Sequence, residues 1–143
     1  MICEMRVLLL LVVLLLGGCA KSSVSEEESS GENAKVTAKD LEPSYEARQF
    51  FADPTCAVWT EGFPLNDLKQ LTNDLYAAGS PKVLFAGADP IEGKKISNWF
   101  VAELPKDKAA RQRCIDVWNK TFKDSDFEAD PKSDMDYLDF VMD

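Results

Sequence analysis

Histidine is missing from the whole chain of 143 residues. Without it there is no Ser-His or Cys-His nucleophile pair, and a metal site is left with carboxylates, carbonyls and thiolates. Positive charge is scarce too, with 16 Lys and Arg against 25 Asp and Glu and a formal charge of −9. Such a surface repels phosphate backbones, which argues against nucleic acid as a partner. There is no C-x-x-C among the four cysteines and no internal repeat. No set of residues supplies nucleophile, base and oxyanion donors together, so the expectation is a non-enzymatic protein without a cofactor.

Long apolar runs are nearly missing. The one present, "VLLLLVVLLL" at 7–16, follows Arg6. A bilayer span needs about 20 residues, so the run fits the core of a signal peptide. Met5 stands directly before Arg6 and is an alternative start that would give a tidier signal.

The run ends in "LGGC" at 16–19, a Leu, two small residues and Cys, followed at once by polar sequence. This resembles the lipobox of bacterial lipoproteins. The resemblance covers the first 20 or so residues and implies a signal peptide at 1–18 and cleavage before Cys19. Cys19 would then carry diacylglycerol and often an N-acyl chain such as palmitate. Each buried methylene is worth about 0.8 kcal/mol, so two or three chains hold firmly. The implied location is the cell envelope, with the domain in the periplasm or otherwise outside the cytoplasm. Ala20, rather than Asp, after the cysteine resembles outer-membrane sorting. The remainder of the chain resembles no family.

Residues 19–40 are rich in Ser, Glu and Lys and have no aromatics, so they read as a lipid-anchored flexible linker with a span of roughly 25 Å. A small α+β domain is expected at 41–143. Residues 42–53 read as a short helix with Tyr45, Phe50 and Phe51 to bury, and 54–61 as a strand. In the segment after Phe63, Leu65, Leu68, Leu71, Thr72 and Leu75 fall on one helical stripe, with Gly79 and Pro81 to stop it. Strands are expected at 82–86 and 95–104, joined by a hairpin loop with Gly87, Pro90 and Gly93. A second long helix opens at Pro105 and Asp107 and places Ala110, Cys114, Val117, Trp118 and Thr121 on one face. The segment 136–142 alternates as a last strand. The order is βαββαβ, the ferredoxin-like split pattern, with an extra helix before it.

That topology would make the first strand central and bring Cys56 and Cys114 within reach of each other. Two readings stand: a disulfide worth roughly 4 kcal/mol across a loop of about 60 residues, or two buried free thiols. It would also leave Trp59, Trp99, Val101 and Tyr137 on an uncovered sheet face. Either a partner covers that face, an envelope protein or a second copy, or the segment before Pro54 folds back over it with Phe50 and Phe51.

The last 20 residues carry eight acidic residues against one lysine. Asp124, Asp126, Glu128 and Asp130 alternate like the start of a calcium loop, but the EF-hand positions for Gly and Glu hold Ala129 and Met135. A solvated acidic loop is the plainer reading. Asp89 with Glu92, and Ser80 with Lys82, form no recognised catalytic arrangement. The function expected from the sequence is therefore a lipid-anchored envelope protein that binds a protein or itself. The alternative is small-molecule or divalent-cation binding through the acidic segment.

Overall fold

The computed structural model describes residues 35–142, a mixed α+β unit with two sheets and three helices. The expected signal peptide, Cys19 and most of the expected linker lie outside these residues. Among the described residues no helix is long and apolar enough to cross a membrane.

The organising strand is "WFVAE". Four consecutive apolar residues suit a strand buried on both faces, which alternation cannot serve. Named in chain order, β1 is Ser44–Glu46, β3 Val83–Ala86, β6 Trp99–Glu103 and β7 Tyr137–Val141, and they form one antiparallel sheet in the order β1-β3-β6-β7. Phe100 and Ala102 face the helices while Val101 faces the opposite side, all three fully buried. A second, three-stranded sheet holds β2 (Cys56–Val58), β5 (Lys94–Ser97) and β4 (Asp89–Ile91), with β2 parallel to β5.

This is not the ferredoxin-like order. The segment 54–61, expected as the central strand, contributes only the half-buried Cys56–Val58 and pairs outside the main sheet. β3 and β6, whose runs VLFA and WFVA are apolar on both faces, take the two inner places instead. The strand expected over 95–104 breaks at Asn98, where Ser97 Oγ donates to Ala86 O at 2.7 Å and accepts from Trp99 N at 3.2 Å. That break sends Lys94–Ser97 into the second sheet. Its hairpin with β4 turns on Glu92 and Gly93, both at positive φ (49° and 80°), as a two-residue hairpin requires.

The helices follow their patterns closely. α2 (Leu65–Ala78) buries Leu68, Leu71, Thr72, Leu75 and Ala78, while Leu65 in its first turn is exposed. Gly79, at φ 112°, donates to the carbonyls of Leu75 and Tyr76, and a Cβ there would lie 3.1 Å from that of Ala110. α3 (Lys108–Thr121) is capped by Asp107, whose Oδ2 accepts from Ala110 N at 2.8 Å, and it buries Ala110, Cys114, Ile115 and Trp118. Both helices lie on one face of the main sheet over Phe85, Phe100, Leu138 and Phe140. Trp118, Phe122 and Phe140 meet there, with ring centroids 4.6 to 5.8 Å apart.

Of the segment expected as a helix at 42–53, only α1 (Ala47–Ala52) is helical. Glu46 joins it to the rest. One carboxylate oxygen accepts from Gln49 N at 2.9 Å as the helix cap, and the other accepts from the Tyr76 hydroxyl, which itself accepts from Val83 N at 3.1 Å. Burial acts to raise the Glu46 pKa, but the hydrogen bonds from Tyr76, Gln49 and Arg48, with the Arg48 charge, outweigh it and hold the carboxyl below its usual value.

The other face of the sheet is covered by the chain itself. Leu41 packs on Ala86 and Val101, with Val36, Leu84, Trp99 and Tyr137 around them. The covering segment is thus 36–41, which the sequence reading had assigned almost wholly to the linker. Phe50 and Phe51 go to the helix side instead.

Leu41→Ala is expected to cost about 2 kcal/mol, read as a lower urea midpoint, since it removes the middle of that cover. A depressed carboxyl contributes stability above its unfolded pKa and loses it as pH falls through the folded value. Wild type should therefore lose more stability than Glu46→Gln between neutral pH and the acid side of the glutamate range, by urea melts at both ends.

Candidate functional site

The structure separates the residues expected on one bare face. Trp59 follows β2 and is 56% exposed, its N–H bonded to Ser97 O at 2.9 Å on the second sheet. Trp99, Val101 and Tyr137 share the outer face of the main sheet, where Val101 is buried beneath Leu41. Trp99 is half-buried, and its indole N–H donates to Asp139 Oδ2 at 2.9 Å. Burial first, and then the charges of Glu103 and Asp136, raise the Tyr137 phenol. Of the two readings of that face, a partner or the segment before Pro54, the chain itself supplies the cover, through residues 36–41 and not through Phe50 and Phe51.

Cys56 and Cys114 are free thiols on β2 and α3, and no bridge joins them. Cys114 is buried, its sulfur 4.0 Å from Leu75 O between the two long helices. Burial raises its pKa, and burial with the Asp53 charge raises that of Cys56. Neither thiol is primed as a thiolate nucleophile.

Asp124, Asp126, Glu128 and Asp130 lie in the long loop 122–136 and do not converge. Among the described residues there is no group of three or more carboxylates or thiols placed to hold a metal ion. The Asp130 carboxylate turns back to Lys132 N at 2.8 Å, and one oxygen of Glu128 faces Asp124 N at 3.4 Å.

What fixes this loop is its backbone. Asn119 donates to Ala129 O at 2.9 Å and accepts from Ala129 N at 2.7 Å, and the Trp118 indole donates to Phe127 O at 2.6 Å. The Arg111 guanidinium reaches the carbonyls of Ser133, at 3.1 Å, and Met135. Lys35 Nζ donates to Asp134 O at 2.9 Å and stands 3.3 Å from Asp136 Oδ2 and 3.7 Å from Asp134 Oδ2. Three consecutive carbonyls are thus taken by cations from two other parts of the chain.

Between the fastened loop and β7 lies a groove of about 660 Å³. Asp126, Glu128, Asp130, Asp134, Asp136 and Asp139 line it against one cation, Lys35. Phe127, 42% exposed, supplies apolar surface. β7 itself is an open edge. Leu104 N donates to Asp136 O and Met142 N to Asn98 O, both at 2.8 Å, and these bonds set the phase of the ladder. Leu138 and Phe140 therefore bond to β6, while Tyr137, Asp139 and Val141 turn their N–H and C=O away from it.

Of the four sheet edges, β1 and β2 are three residues long and β4 carries Pro90, which has no N–H to offer. β7, at five residues without proline, is the longest edge, and no strand among the described residues pairs with its outer side.

Comparison with family models, with curated protein sequences and with solved structures finds no match to this chain.

The sequence reading did not find this edge. Tyr137 is on the face that alternation gives it, but which strand lies outermost depends on pairing that periodicity does not encode. Arg111 and Asn119 were missed because their partners are loop carbonyls. Asn119→Ala is expected to cost about 1–3 kcal/mol, having removed both bonds to Ala129, and to speed amide exchange in residues 126–131 while α2 stays protected.

Proposed function

We propose that this is a lipid-anchored protein of the bacterial cell envelope whose small α+β domain acts without enzymatic chemistry, by binding another protein along the free edge of β7. The observation that carries the reading is that edge: a five-residue strand whose Tyr137, Asp139 and Val141 turn unpaired backbone groups outward beside a preformed groove. An extended segment added there gains main-chain hydrogen bonds for affinity and side-chain contacts for specificity. The lipobox at 16–19 supports the anchor, and Ala20 favours the outer membrane over the inner where both exist.

Non-enzymatic action is supported by the lack of histidine and by two thiols whose raised pKa values keep them protonated. The proposed contact differs from the tryptophan face read from the sequence, since Val101 and much of Trp99 are taken up by residues 36–41.

Two measurements test the reading. Cys19→Ala should shift the protein from the membrane fraction to the soluble fraction, and continued membrane association sinks the anchor. Crosslinking in the intact envelope should capture a partner with wild type and not with Val141→Pro. Position 141 tolerates proline because its N–H faces away from β6. Equal capture by a folded Val141→Pro moves the contact off this edge.

A further inference from the structure

We infer that the β7 edge and its groove receive an extended segment of a partner protein in which basic and apolar residues alternate. The inference rests on the binding-module reading above and gives its partner a chemistry.

The geometry of strand addition dictates the alternation. A strand paired to Tyr137, Asp139 and Val141 sends every second side chain to the outer face, where Asp139 stands between Tyr137 and Val141. The side chains between them fall on the inner side, toward the exposed ring of Phe127. The first set has the Asp139 carboxylate at its centre and the second has hydrocarbon.

Charge selects the sign of the polar positions. Six carboxylates line the groove, and the single cation there, Lys35, already displays how an ammonium is held: one carbonyl at 2.9 Å and two carboxylates within 3.7 Å. A partner lysine or arginine would find the same set of acceptors along the groove wall. Complementarity of this kind also speeds encounter at low salt.

The same charges disfavour the chain's own material. Antiparallel pairing of two β7 edges about a two-fold axis at Asp139 sets that carboxylate against its copy, and each chain carries a formal −9. The linker, with Glu26, Glu27 and Glu28, is likewise of the wrong sign. The carboxylates thus guard the edge against self-pairing while leaving it open to a basic strand.

The test uses the full chain in nonionic detergent and three labelled octapeptides: alternating Lys and Val, alternating Lys and Pro, and alternating Glu and Val. The Lys-Pro peptide matches the charge of the first but cannot pair as a strand. Fluorescence anisotropy should give binding of the Lys-Val peptide at least tenfold tighter than either control, weakening as salt rises. Val141→Pro should weaken it tenfold or more at unchanged circular dichroism. If that variant does not fold, amide shifts in wild type decide instead, and Tyr137, Asp139 and Val141 should move most.

Equal binding of the Lys-Val and Lys-Pro peptides reduces the groove to a general polyanion and overturns the inference, as do shifts centred elsewhere. Concentration-dependent dimer mass without peptide binding overturns it in favour of a second copy. A partner crosslinked through β7 by an acidic or neutral segment overturns the basic chemistry alone and leaves the binding-module reading standing.

Discussion

A strand with no polar face has to be covered twice. β6 places Phe100 and Ala102 on one side of the sheet and Val101 on the other, all fully buried, so no single layer of helices suffices. α2 and α3 close one side with leucines and Trp118; the short segment around Leu41 closes the other. The flanking strands are also set by β6, since β3 and β7 both take their register from it. Burial of this kind, at about 25 cal/mol per Å² of apolar surface, is the main force available to a domain whose described cysteines form no bridge.

The parts legible in the sequence are those decided within a dozen residues. The stripe of Leu68, Leu71 and Leu75, the left-handed stop at Gly79 and the cap at Asp107 are local, and they sit where the spacing puts them. The in-and-out alternation of β6 and β7 is local too, and Phe100 and Leu138 do face the helices. Pairing is not local. The segment 54–61 is β-branched and aromatic enough to be read as a strand, yet nothing in it announces that its neighbour is Lys94–Ser97 across an intervening helix and two strands. The break at Asn98 depends on Ser97 bonding to Ala86, eleven residues away in chain and on another strand.

The candidate site was less legible for a related reason. The acidic run at 124–130 draws attention to its carboxylates, whereas the structure anchors this loop by its carbonyls and leaves the charges facing the groove. Arg111, Trp118 and Asn119 read as members of a helix and not as the fasteners of a loop nine or more residues on. Val36 and Leu41 were hidden differently: two apolar residues in a polar stretch carry no period, and their value appears only with Val101 beneath them.

The cover over the outer face has a mechanical meaning as well. It is the first part of the described residues, and Lys35, at its head, is tied to the loop before β7. A load drawn along the N-terminal direction meets the Lys35 contacts first, then Val36 and Leu41, and reaches the helix-side core last. Yielding would begin as peeling, residue by residue, and would bare Val101 while Phe85, Phe100 and Trp118 stayed packed. The domain is built with a yielding seam on its N-terminal side and its aromatic core behind it.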